Sequence, residues 1–149
     1  MQSTPPSPPS SEAGLILVVE DNPDHALLVQ VAAGRVDRDA EVRVLPNGEE
    51  ALAYLAGTGR FADRQAHPLP GLVILDLLLP GMGGFDVLHW IEDRPDLAGH
   101  VPVVVLTSSM NPADRDRALE SGASGYYVKP PDVMSLGETI RAILEGWRS

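Results

Sequence analysis

The sequence predicts an α/β fold, a doubly wound three-layer sandwich around a five-stranded parallel sheet. Strand and helix signals alternate from Leu15 onward. Three of the strand signals are short and wholly apolar, as strands covered on both faces should be. One of them runs into a lone carboxylate, Asp76, within Leu72–Pro80 (LVILDLLLP). Burying an unpaired carboxylate costs several kcal/mol, on the order of the net stability of a domain. Asp76 therefore belongs at the carboxyl end of its strand, in the crevice where open α/β sheets hold ligands.

Each element has its own local signal. Leu15–Val19 is a β-branched apolar strand, and Asn22-Pro23 then supplies a cap oxygen and a first-turn proline for a helix to about Arg35. Ala40–Val44 alternates, which suits an edge strand. Asn47-Gly48 opens a shorter helix, Glu49–Ala56, followed by a long irregular connection from Gly57 to Gly71. After the Leu72–Leu75 strand, Gly83-Gly84 leads into an amphipathic helix, Phe85–Glu92. Pro102–Leu106 is the next apolar strand. Asn111-Pro112 repeats the cap-plus-proline start of a helix that stops at Ser121-Gly122. Gly125–Val128 is the last strand, and Asp132 caps a final helix to about Trp147. Right-handed crossovers, with the apolar strands central, give the order 2-1-3-4-5.

Composition narrows the function. The 149 residues are 44% hydrophobic and carry a formal charge of −10, which allows one core and disfavours nucleic acid as a partner. There is no cysteine, hence no disulfide or thiolate metal site. No apolar stretch approaches a membrane span. Residues 1–14, rich in Pro and Ser, have no signal-peptide pattern and read as a disordered tail ahead of a single domain, 15–149. The expectation is a soluble cytoplasmic protein.

In a parallel sheet the carboxyl ends of the strands share one edge. Glu20 and Asp21, Asp76, Thr107 and Lys129 all fall there. Three converging carboxylates repel unless a cation joins them, and all-oxygen ligation points to Mg²⁺ or Mn²⁺. A lysine beside such a cluster suggests an arriving anion, most simply phosphate.

Four motifs in order carry a family likeness: VVEDNP (18–23), LDLLLPGMGG (75–84), VLTS (105–108) and GASGYYVKP (122–130). With them the chain resembles the receiver domain of two-component response regulators, whose sheet is the flavodoxin-like one. Its form, the enlarged connection before the third strand and Trp147 look most like the single-domain regulators paired with bacterial phytochromes. The resemblance implies that Asp76 accepts a phosphoryl group from a histidine kinase. It implies that Glu20, Asp21, Asp76 and the backbone carbonyl of Leu78 hold Mg²⁺, with Mn²⁺ as a substitute. Lys129 and Thr107 would bind the phosphoryl oxygens, and Tyr126 would move inward as the Thr107 loop closes. The Lys129–Pro130 bond would be cis. The protein would be a phosphoacceptor rather than an enzyme. With no residues left for a DNA-binding output, it would signal through a partner protein.

The chain departs from the family at Gly83, often Asp, and at Leu78, often polar. Leu78 and Ser109 would flank the path of a hydrolytic water. Three rivals fare worse. An aspartyl phosphohydrolase wants a second Asp where Leu78 stands, and a flavin carrier wants a phosphate loop where Glu20-Asp21 stand. A docking-only pseudo-receiver leaves the acidic set and Lys129 without a purpose. His25, His67, His89 and His100 show no ligand spacing and read as surface or helix-face residues. Met82 and Met110 should pack near the site, Trp90 in core or groove, and Asp114–Arg117 on a solvated face. Val133, Leu136, Ile140, Ile143, Leu144 and Trp147 form the sheet-facing stripe of the last helix. Trp147, past the expected core, reads as the exposed anchor of a homodimer through that helix and its neighbours.

Overall fold

A computed structural model describes residues 14–148, so the expected tail lies outside the described residues apart from Gly14. The elements are β1 (Leu15–Val19), α1 (Pro23–Val36), β2 (Glu41–Leu45), α2 (Gly48–Ala56), a 3-10 turn (Gly59–Phe61), β3 (Leu72–Leu75), α3 (Gly84–Glu92), β4 (Val103–Thr107), α4 (Pro112–Glu120), β5 (Gly125–Val128) and α5 (Val133–Arg148). All strand pairs are parallel, in the order β2-β1-β3-β4-β5. This is the predicted sheet. Boundaries move by a residue or so, chiefly because Asn47 and Gly83 act as caps and leave Gly48 and Gly84 helical.

The caps work as their residue types require. Asn22 Oδ1 accepts from the Asp24 and His25 amides at 2.9 and 3.3 Å, and Asn47 Oδ1 from the Glu50 amide at 2.8 Å. Asp132 Oδ2 accepts from the Ser135 amide at 2.9 Å at the start of α5.

Strand alternation then builds two cores. Leu15, Leu17 and Val19 of β1 face one side, packing with Tyr54 and Leu55 of α2 and Val87 and Leu88 of α3. Ile16 and Val18 face the other, with Val29 and Ala33 of α1 and Leu136, Ile140 and Leu144 of α5. β1 is therefore buried on both faces, which explains its unbroken apolar run.

The irregular connection is built rather than loose. Arg64 donates to the carbonyls of Tyr54 and Leu55 at the end of α2, at 2.7 and 2.6 Å, where helix carbonyls run short of partners, and to that of His67 at 3.1 Å. Arg43 reaches from β2 to the Ala66 carbonyl at 2.6 Å, and the Tyr54 hydroxyl donates to the Pro68 carbonyl at 2.8 Å. His67 lies edge-on to Tyr54 and Phe61, with ring centroids 5.9 and 5.2 Å away. It is a packed residue, not a surface one.

Four further expectations are corrected. Trp147 is half-buried against the α1–α5 core, and its indole N–H donates to the Gly71 carbonyl at 3.0 Å. A buried indole needs such an acceptor, and the turn before β3 offers one. Val133 is 66% exposed and lines an open groove with Val31 of α1 and Met134, so it leaves the sheet-facing stripe. No described peptide bond is cis, so Lys129–Pro130 is trans, the form an X–Pro bond intrinsically prefers. Met110 is 83% exposed and does not pack, whereas Met82 does. Trp90 is half-buried, with the Arg94 guanidinium 4.3 Å from its ring centre. Among the described residues no helix is long and apolar enough to cross a membrane.

Candidate functional site

The carboxyl edge of the sheet gathers the polar residues that end its strands. β1 and β3 are in parallel register, and the Asp76 amide continues the pairing by donating to the Val19 carbonyl at 3.1 Å. This fixes Asp76 beside Glu20. On the other side, the Lys129 amide donates to the Thr107 carbonyl at 2.7 Å, holding the ends of β4 and β5 together.

Glu20 and Asp76 are buried, at 6% and 4% exposure, while Asp21 faces solvent. One carboxylate oxygen from each of the three lies within 4.8 Å of the others. Lys129 Nζ donates to Glu20 Oε1 at 2.6 Å and Asp76 Oδ2 at 3.0 Å. The remaining oxygens are also engaged: Glu20 Oε2 accepts from the Asn22 amide at 3.1 Å, and Asp76 Oδ1 from the Leu78 amide at 3.0 Å. Asp76 thus shapes the turn to which the Leu78 carbonyl belongs. The Leu78 side chain is 56% exposed, outside the cluster.

Thr107 is fully buried, and its Oγ1 accepts from the Ser109 amide at 3.3 Å. The half-buried Tyr126 hydroxyl donates to the Ser109 carbonyl at 3.4 Å, while Ser109 Oγ donates to Asp114 Oδ2 at 2.5 Å. Asp114 is therefore tied to the loop after β4. Arg117 of the same helix stacks on Phe85 of α3, 3.9 Å from the ring centre. This helix is more engaged than a purely solvated face.

One ammonium against three carboxylates leaves the cluster net negative. The donors are all hard oxygens, and Asp21 opens the cluster to water, which a small hard cation retains in part. The residues fit a divalent ion of that kind. Burial is the largest influence on Glu20 and pushes its carboxyl above the usual 4.5, although Lys129 opposes it. A raised folded-state value means the native state holds the proton more tightly than the unfolded chain. That contribution to stability is complete below about pH 4.5 and is lost as pH rises through the folded value. Urea denaturation in EDTA should therefore show a shallower pH dependence between pH 4.5 and neutrality for Glu20→Gln than for wild type. An unchanged slope would count against burial as the cause.

The sequence missed His25. Its ring sits on the first turn of α1, with Nδ1 3.0 Å from Lys129 Nζ, so it is part of the site and not merely a helix face. The signal available was its place: a helix that follows strand one starts at the same sheet edge where strand five ends.

The response regulator receiver domain profile matches residues 16–141. The probable methanogenesis regulatory protein FilR2 of Methanothrix harundinacea is 37% identical over 133 residues, 89% of this chain and 83% of that protein. Response regulator Rcp1 of Synechocystis is 34% identical over 138 residues, 93% of this chain and 91% of its own. The Mn²⁺-bound structure of Rcp1 superposes with a TM-score of 0.83, covering 90% of this chain and 94% of that one. The phosphorylated cyanobacterial phytochrome response regulator RcpA superposes at 0.85, with 34% identity over 91% of this chain and 94% of that one.

Proposed function

The chain belongs to the response regulator receiver family, and on that premise we propose that it takes a phosphoryl group from a histidine kinase onto Asp76, with Mg²⁺ at Glu20, Asp21, Asp76 and the Leu78 carbonyl. The observation that carries this reading is the buried Asp76 carboxylate held 3.0 Å from Lys129 within an acidic, all-oxygen cluster. In the transfer, an Asp76 oxygen attacks phosphorus, the P–N bond to the kinase imidazole breaks, and an acyl phosphate forms. The divalent cation neutralises charge on the phosphoryl oxygens when it is bound.

The chain's own residues do the rest. Lys129, already beside Asp76, donates to a phosphoryl oxygen, a charge-assisted contact. The Thr107 hydroxyl, now accepting from the Ser109 amide, turns to donate to the phosphoryl group. That deprives Ser109 of its acceptor and draws the loop inward. The Tyr126 hydroxyl loses its partner at the Ser109 carbonyl and follows. The protein acts as a switch in the cytoplasm, not as an enzyme with turnover on an outside substrate. Its output passes to a partner protein, and the −10 charge disfavours nucleic acid.

Likeness to RcpA supports a bacterial phytochrome as the kinase. The experiment is transfer from such a kinase, autophosphorylated with ATP, to wild type and Asp76→Asn under red and far-red light. Light-dependent transfer to wild type alone supports the reading. Transfer from an unrelated kinase but from no phytochrome would overturn the choice of kinase.

Asp21→Ala should weaken Mg²⁺ binding by about tenfold or more, because it strips one carboxylate ligand and one charge. Calorimetry checks this, and an unchanged affinity would place the ion elsewhere.

The same proposal puts a homodimer on α5 and its neighbours. It rests on Val133 and Met134, 66% and 80% exposed, and on Tyr127 and Val128 of the edge strand, 37% and 41% exposed, rather than on Trp147. Sedimentation of wild type against Met134→Glu at micromolar concentration tests it. A wild-type monomer in both phosphorylation states removes it.

A further inference from the structure

A lysine ammonium has three N–H donors and no acceptor. Lys129 Nζ has three acceptors within reach: Glu20 Oε1 at 2.6 Å, Asp76 Oδ2 at 3.0 Å and His25 Nδ1 at 3.0 Å. Its side chain is only 6% exposed, so water has little part in satisfying it. Because the ammonium donates, His25 Nδ1 must carry the lone pair and Nε2 the proton. The ring is placed by the start of α1, where the His25 amide donates to Asn22 Oδ1 at 3.3 Å and Pro23 fixes the first turn.

The three acceptors differ in what a divalent cation does to them. Glu20 and Asp76 are carboxylates that would hold the cation, so ammonium and cation draw on the same two side chains. His25 offers a ring nitrogen rather than a carboxylate oxygen and stands outside the oxygen cluster. We propose that His25 is a positioning residue that holds the Lys129 ammonium beside Asp76 after the cation has taken the two carboxylates, keeping it ready for the phosphoryl oxygens. This rests on the phosphoacceptor reading above.

Without His25 the ammonium of the cation-loaded protein loses the one of its three acceptors that the cation would not draw on. It leaves for solvent and must be recovered in each transfer. His25→Leu should therefore slow phosphorylation by acetyl phosphate at saturating Mg²⁺ by about tenfold, the worth of one hydrogen bond to a charged group. His25→Asn puts an amide oxygen near the Nδ1 position and should stay within about threefold of wild type, a loss well below one such bond. A role in packing alone predicts the opposite ranking or no ranking, since Leu fills the space better than Asn.

The experiment is labelling of wild type, His25→Leu and His25→Asn at saturating Mg²⁺, with ¹⁵N NMR of His25 in wild type and Lys129→Met. In cation-loaded wild type the Nδ1 resonance should remain that of a hydrogen-bonded acceptor and should shift in Lys129→Met, a result independent of whether the His25 variants fold. Equal labelling rates for all three proteins, a slow His25→Asn, or Nδ1 resonances identical in cation-loaded wild type and Lys129→Met would overturn the proposal. Failure of wild type itself to label would instead overturn the phosphoacceptor reading.

Discussion

Lys129→Met lowers the stability of the metal-free protein by about 3–5 kcal/mol, the usual cost of breaking a buried pair from one side. The side chains of Lys129, Glu20 and Asp76 are all close to fully buried, at 6, 6 and 5% exposure. Removing the ammonium leaves two buried carboxylates beside a third with no compensating charge. Methionine keeps most of the stem's volume, so the loss reports charge rather than a cavity. Mg²⁺ should restore most of the stability, because a divalent ion supplies the missing positive charge. For the same reason Mg²⁺ should bind Lys129→Met more tightly than wild type, which has a competing cation in place. Urea denaturation in EDTA and in saturating Mg²⁺ measures both effects. A variant as stable as wild type in EDTA would contradict the buried network.

The second large effect is steric and sits one turn away. A Cβ on Gly84 would lie 2.3 Å from the Asp76 carbonyl oxygen and 2.6 Å from the Leu77 Cα, both backbone atoms that no rotamer change can move. Gly84→Ala should cost about 3 kcal/mol, at the upper end of overpacking. The segment it pushes is the one that carries Asp76, so Mg²⁺ affinity should fall as well. Gly83→Ala is the control. Its Cβ would meet the Leu77 carbonyl oxygen at 3.8 Å, an ordinary contact, and its effect should stay within about 0.5 kcal/mol. Equal stability of the two variants would show that α3 does not pack as closely on the Asp76 turn as the structure has it.

Much of this was legible in the chain. β1, β3 and β4 as far as Leu106 are apolar because helices cover both faces, and that pattern set the strand order. Glu20, Asp21, Asp76, Thr107 and Lys129 could be placed on one edge because parallel strands end together. Contacts between side chains far apart in sequence were not legible. His25 lies 104 positions from Lys129, and its approach depends on how the start of α1 seats beside the end of β5. Trp147 looked exposed because periodicity describes a face but not its reach, and nothing in the stripe shows that Gly71 offers its carbonyl. Gly83-Gly84 read as a helix start, yet only one of the two glycines is forced by backbone contact. The connection from Gly57 to Gly71 read as irregular because its order comes from Arg43 and Arg64 bonding to carbonyls, which leaves no periodic trace.

The central claim is that Asp76 receives the phosphoryl group with the help of a divalent ion. Intact mass and peptide mapping after treatment with acetyl phosphate test it most directly, in Mg²⁺ and in EDTA, for wild type and Asp76→Asn. The account predicts one phosphoryl group on wild type in Mg²⁺, mapped to Asp76, and essentially none in EDTA or on Asp76→Asn, whose amide cannot form the acyl phosphate. Equal labelling of wild type and Asp76→Asn, or a wild type that takes up no phosphate in Mg²⁺, would contradict it.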